Sequence, residues 1–232
     1  MCLQDVFDRL HIVSEGPRAP VVILDLDSTL VDTGPRHLAI LQAFGESHGI
    51  DVTSVLRHYR DVPVGWSVDP GLVAAGWPDD RVAAFHRFWS ERFFDGRWVG
   101  HDRAAPGAVS LVRRIVDAGA IACYLTGRPS PTMGPGTIAS LLSLGFPVLR
   151  SCTPLHMKPS PHLSDERFKR AALAEIGRLG VVVAAFDNEP AHVNAMKQAF
   201  PDAHCVLVGD VRSPDAPAPA PGTLAVPDLH LR

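Results

Sequence analysis

The chain has 232 residues, of which 46% are hydrophobic and 20% charged, with a formal net charge of -3. That make-up suits a globular protein with a full buried core, as one large domain or a core plus a small insert. The balance excludes an electrostatic footprint for nucleic acid or an anionic membrane as the main partner, and no stretch reaches transmembrane length.

In chain order, Leu3, Val6, Phe7 and Leu10 share one helical face and predict a short amphipathic lead-in helix, not a signal peptide. Val21 to Leu26 is a β-branched apolar run, the pattern of a strand buried on both faces. From Pro35 to about Arg103 the pattern turns helical: Leu38, Leu41 and Phe44 fit one helix and Val55, Leu56 and Tyr59 another. Val82, Phe85, Phe88, Trp89 and Phe93 fit a third, after the start signal Pro78-Asp79-Asp80. This region carries all four tryptophans and is expected to be a helical insert with its own small core. Its aromatic stripe fits packing, while Trp66 and Trp77, in Gly/Pro-rich loops, are freer to touch a ligand.

Beyond the insert, strand and helix alternate. A helix from Pro106-Gly107 to Ala118 precedes a strand, Ala120 to Leu125. A helix at about Thr137 to Leu144 and a short strand at Pro147 to Leu149 follow. Ser164 caps a helix of Asp165 to Leu179, then come the strand Val181 to Phe186, a helix from Pro190 to Phe200 and the strand Cys205 to Val208. The expected fold class is α/β: a Rossmann-like parallel sheet covered by helices, with a helical cap insert. The core spans residues 1–34 and 104–211, the cap 35–103. The Pro/Ala-rich tail, 212–232, is expected to be extended and loosely held. Cys2, Cys123, Cys152 and Cys205 form no CxxC pair and no zinc-spaced cluster, which fits a reducing, cytoplasmic setting.

The first strand ends in Asp25-Leu26-Asp27-Ser28-Thr29-Leu30. Period-two alternation sends Asp25 and Asp27 to one side, where two like charges need a cation or a shared proton. A divalent ion with oxygen preference, Mg2+, is the simplest compensation. Thr126-Gly127-Arg128 and Asp187-Asn188-Glu189 also follow strands, and ligands bind beyond the carboxyl ends of strands in open parallel sheets. With these motifs the chain resembles the haloacid dehalogenase-like superfamily of phosphatases over about Val21 to Val208. Asp25-Leu26-Asp27-Ser28-Thr29-Leu30 matches the first motif and Thr126 the second; a lysine before or early in the 165–179 helix matches the third, and Asp187 the fourth. The insert takes the place of a helical C1-type cap.

The resemblance implies a Mg2+-dependent phosphomonoesterase acting on a small phosphorylated metabolite. Asp25 would be the nucleophile, forming an aspartyl-phosphate, and Asp27 the general acid and base. Thr126 and the Gly127 amide would hold phosphoryl oxygens, with Ser28, Thr29, Arg128 and Lys158 as further substrate contacts. The metal would lie among Asp25, Asp27, Asp187 and Asn188. Lys158, in a Lys-Pro-x-Pro context, and Lys169, one turn into a helix of about 15 residues, compete for the catalytic lysine. A helix of that length spans roughly 22 Å and projects its first turn to the active edge of the sheet, which favours Lys169. Glu189 could bind a metal-held water or serve as a charge at a helix start, and Arg128 fits a structural ion pair as well as a substrate contact. Arg36, His37 and Arg57 read as solvated helix charges. The insert is expected to act as a lid hinged near Asp32 to Pro35 and Asp102 to Pro106. A phosphomutase or phosphotransferase, or a non-catalytic binding module of the same fold, are the alternatives. Oligomeric state is not legible.

Overall fold

The computed structural model describes residues 2–231. Helix α1 (Leu3–Ser14) buries Leu3, Val6, Phe7 and Leu10, the face its spacing marks out. Strand β1 (Pro20–Leu24) is buried at every position. Its side chains alternate between two layers, Val22 and Leu24 into one apolar cluster and Val21 and Ile23 into the other. A short antiparallel pair, β2 (Val31–Asp32) and β3 (Arg103–Ala104), closes the neck of the insert. Between them lie α2 (Gly34–His48), α3 (Thr53–His58), α4 (Asp69–Ala74), α5 (Asp79–Phe93) and a 3-10 turn at Val99–His101. Phe44, Leu72, Trp77 and Phe85 are in a third apolar cluster belonging to the insert.

The chain then continues through α6 (Ala108–Asp117), β4 (Ile121–Pro129), α7 (Ser130–Ser143), β5 (Leu155–Lys158), α8 (Asp165–Leu179), β6 (Val181–Asp187), α9 (Pro190–Ala199), β7 (His204–Val208) and β8 (Leu224–Val226). Six strands form one sheet in the order β5-β4-β1-β6-β7-β8, every neighbouring pair parallel. The apolar layer with α1 and α6 covers one face and that with α8 and α9 the other, a Rossmann-like α/β architecture. The chain moves outward from β1 through β4 to β5, then returns to β6 on the opposite flank of β1. That reversal opens a crevice at the carboxyl end of β1. No helix among the described residues is long and apolar enough to cross a membrane.

Three expectations need correction. Pro147 to Leu149 is not a strand; the edge strand is Leu155–Lys158, whose half-buried His156 and polar end hide it in the sequence. Helix α7 starts at Ser130, because Pro131 is compatible with a first helical turn, and Pro135 costs one backbone bond. The tail is not loosely held. β8 extends the sheet, Leu229 is buried in the core, and its amide donates to Pro106. Asn194 secures the intervening loop, donating to the Ala218 carbonyl and accepting from the Ala220 amide.

Candidate active site

Strands β4, β1 and β6 are adjacent, so their carboxyl ends bring Thr126, Asp25 and Asp187 to one edge. Asp25 Oδ1 accepts a 2.6 Å bond from Lys169 Nζ, which also donates to Asp187 Oδ2 at 2.7 Å. Asp187 Oδ1 accepts from the Glu189 amide, and His192 Nδ1 lies 3.4 Å from the Asp187 carboxylate. Asp25, Asp187 and Lys169 are all buried. Burial, only partly offset by Lys169 and reinforced by Asp187, pushes the Asp25 carboxyl up to about 7. Burial also acts on Asp187, but Lys169 and His192 outweigh it and hold that group well below the usual carboxylate range. Asp25 Oδ2 accepts no hydrogen bond among the described residues, and Asp25 lines a cavity of about 240 Å3.

Asp27 is held differently. Arg128 Nε donates to Asp27 Oδ2 at 2.8 Å, and Arg128 Nη2 and Arg36 Nη2 each donate to Oδ1 at 2.7 Å. The same guanidiniums grip Asp102: Arg36 through Nε and Nη2 and Arg128 through Nη2, all at 2.7 Å. Arg36 also donates to the Phe93 carbonyl and Arg128 to Thr137 Oγ1. Burial alone would push Asp27 up, yet the Arg128 and Arg36 charges and hydrogen bonds prevail and hold it far below the usual range. Its side chain keeps 30% exposure toward the cavity, so water offsets part of the burial. Arg36 comes from the first turn of α2 and Asp102 from the return neck, so this cluster ties the insert to the core.

The cavity takes in Asp25, Asp27, Ser28, Gly127, Arg128 and Lys169, as well as Asn188. Ser28 adopts a left-handed φ of 59° in the turn after Asp27, where its amide bonds the Val31 carbonyl. The amides of Leu26 and Asp27 have no acceptor among the described residues, a feature that side-chain motifs do not reveal. Gly127 lies against Asp165, so closely that a Cβ there would overlap the carboxylate.

Thr29, Thr126 and Lys158 sit outside the cavity lining, whereas Arg36, His37, Asn188 and Glu189 are on it. Thr29 is buried, its hydroxyl donating to Asn188 Oδ1 at 3.3 Å. Thr126 is buried and its Oγ1 accepts from the Arg128 amide. Lys158 pairs with Asp165 at 2.5 Å and bonds neither Asp25 nor Asp27 among the described residues. Asn188 Nδ2 donates to the Val211 carbonyl, and Glu189 accepts from the Ser213 amide and hydroxyl, so both help to hold the tail. Arg36 and His37 are not solvated charges: they are 0% and 3% exposed, whereas Arg57 is exposed. Arg36, Ile40 and Phe44 follow at i, i+4 and i+8, so the helical stripe already places Arg36 on a buried face. Asp102 and His192 carry no comparable signal.

Among the described residues no three or more His, Cys, Asp or Glu side chains converge on a point able to hold a metal. The donor set still fits Mg2+, which uses one or two carboxylates and keeps water or phosphate oxygens for the rest. Asp25 and Asp187 supply two carboxylates against one ammonium, and the Asp27 main-chain carbonyl accepts no hydrogen bond among the described residues.

No protein-family model and no curated protein matches the sequence. Solved structures do match. A HAD-superfamily hydrolase from Ehrlichia chaffeensis superposes with a TM-score of 0.53 at 13% identity, covering 91% of this chain and 93% of the other. This is the haloacid dehalogenase-like fold. CbbY from Rhodobacter sphaeroides, solved with phosphate, gives 0.52 at 18% identity over 91% and 95% of the chains. Protein tyrosine kinase A of Mycobacterium tuberculosis gives 0.54 at 18% identity, with the same coverage.

Proposed function

We propose that the protein is a Mg2+-dependent phosphomonoesterase working through an aspartyl-phosphate on Asp25. The observation that carries this reading is Asp25 itself, a buried carboxylate fixed through Oδ1 by Lys169, with Oδ2 free of protein donors at a cavity. Similarity of fold to hydrolases and to a phosphate complex supports it. In the first step Asp25 Oδ2 bonds to phosphorus and the bond from phosphorus to the leaving oxygen breaks. In the second, water attacks the acyl phosphate, releasing inorganic phosphate and restoring Asp25. Lys169 and the Leu26 and Asp27 amides offer positive charge and donors for the phosphoryl oxygens. Mg2+, held by Asp25, Asp187 and the Asp27 carbonyl, would neutralise phosphoryl charge.

Asp27, kept ionised by two guanidiniums, is suited to take a proton from the attacking water. Donating a proton to the leaving group is harder, since the protonated form gives up those ion pairs. Leaving groups that need little protonation should therefore turn over fastest. The test is phosphate release from acetyl phosphate and a panel of phosphorylated metabolites, with Mg2+ and with chelator, in the parent and in Asp25→Asn. Metal-dependent release abolished by the substitution is expected. Equal release by Asp25→Asn would sink the reading, and phosphate appearing on an added acceptor alcohol would reassign it to phosphotransfer.

A further inference from the structure

The charged side chains around the cavity are already paired. Arg36 and Arg128 are spent on Asp27 and Asp102, Lys169 on Asp25 and Asp187, and Lys158 on Asp165. Among the described residues lining the cavity, no uncommitted Lys or Arg remains for a second anionic group. The insert's share of the wall is instead aromatic: Trp66, Trp89, Phe93 and Phe94, beside His37. Trp66 is 51% and Phe94 42% exposed, unusual for such large apolar side chains. The deeper rings are prearranged. Trp89 stacks on Phe93 with centroids 4.5 Å apart, His37 lies 4.8 Å from Phe93, and the Arg36 guanidinium sits 4.3 Å over the Phe93 ring.

Among the polar groups on this wall, His37 is held by one of the rings. Trp89 Nε1 donates to His37 Nδ1 at 3.1 Å. A neutral imidazole whose Nδ1 accepts must carry its proton on Nε2. Burial, helped by Arg36, lowers His37 to about 4, which keeps the ring neutral at pH 7. His37 is nearly fully buried and lines the cavity, and its Nε2 has no partner among the described residues. His37 Nε2 is thus one donor available on the aromatic side of the cavity, which Thr33 and Gly65 also line.

We propose that the organic part of the substrate is a single flat aromatic ring bearing one neutral hydrogen-bond acceptor, held against the Trp66, Trp89 and Phe93 wall with the acceptor on His37 Nε2. This rests on the phosphomonoesterase reading and narrows its substrate class. The cavity, about 240 Å3, is below the usual range for drug-sized ligands and suits one ring plus a phosphoryl group. A second phosphate would find no free Lys or Arg among the described residues of the lining.

Calorimetric binding of non-hydrolysable phosphonates to the full chain tests this without any leaving-group effect. Benzylphosphonate should bind roughly three- to tenfold tighter than cyclohexylmethylphosphonate, the gain expected of ring-on-ring contact. Trp66→Ala, at an exposed loop position, should erase most of that preference. At least one of the three pyridylmethylphosphonate isomers should bind tighter than the benzyl compound, and His37→Phe should remove that advantage alone. Equal binding of the cyclohexyl and benzyl compounds, or tighter binding of a sugar phosphonate, overturns the proposal. The parent reading is judged separately by release from acetyl phosphate, which has no ring: its loss with the benzyl preference intact discards the phosphatase, not the aromatic site.

Discussion

Asp25 and Asp27 stand one residue apart on the same strand end, yet they belong to two buried ion clusters built on opposite principles. The Asp25 cluster lies wholly in the core and sets two carboxylates, Asp25 and Asp187, against one ammonium from Lys169. The Asp27 cluster spans core and insert and sets two carboxylates against two guanidiniums. The first is short of positive charge, and Asp25 rises to about 7. The second is balanced: Arg128 and Arg36 hold Asp27 low, while burial still pushes Asp102 up. Under the proposed function, the charge imbalance is where a cation and a phosphoryl group would be received, and the balanced cluster is the joint between core and insert.

The largest effects should come from breaking the unbalanced cluster. Asp25→Asn should cost at least roughly a thousandfold in turnover, as removal of a covalent nucleophile does, without lowering Tm, because it removes a buried charge already in excess. Lys169→Ala should cost roughly a hundred- to a thousandfold, whereas Lys158→Ala, which loses only its pair with Asp165, should stay near the parent rate. Steady-state kinetics beside thermal melts would separate these outcomes, and an inactive Lys158→Ala would reverse the assignment of the two lysines.

In the balanced cluster the cost should appear in stability. Arg36→Met leaves Asp102 and Asp27 sharing one guanidinium, and urea unfolding should show a loss of roughly 3–5 kcal/mol. The double variant Arg36→Met/Asp102→Leu should cost less than the sum of its single changes, since the partner charge is then gone as well. Additive losses would mean that the two residues are not coupled.

A smaller effect separates the clusters by pH. Between about pH 4 and 7 folded Asp25 holds a proton that the unfolded chain has already released, so its contribution to stability declines as pH rises through that window. Asp27 has the opposite sign: its contribution is present above the ordinary carboxylate range and is lost as pH falls. Melts from pH 4 to 7 should therefore show a downward component that is absent in Asp25→Asn. Under the proposed metal role, Mg2+ raises Tm at pH 7, and this gain too disappears in the variant. The smallest effect is Arg57→Ala, on the exposed side of α3, within about 0.5 kcal/mol of the parent.

How much of this could be read from the sequence follows from the kind of signal each part leaves. β1 and its two aspartates are legible because an apolar run ending in like charges is rarely accidental. Lys169 is placed beside Asp25 by helix length alone, as α8 spans the sheet. The tail is illegible because Pro and Ala composition outweighs three strand residues and Leu229, whose burial depends on contacts with β7 and Pro106. The balanced cluster is hidden for another reason. Asp27, Arg36, Asp102 and Arg128 are up to 101 positions apart: Asp27 and Arg128 stand out by their motifs and Arg36 by its place on the apolar stripe of α2, but nothing marks them as partners and Asp102 leaves no trace. Charges that meet through tertiary structure have no local pattern.

The most direct test is a carboxyl-carbon NMR titration of the metal-free protein, with Asp25→Asn and Asp27→Asn used to assign the two signals. The account predicts that Asp25 titrates near pH 7 while Asp27 stays ionised down to acid unfolding. Both carboxyls titrating together near pH 4 would contradict it.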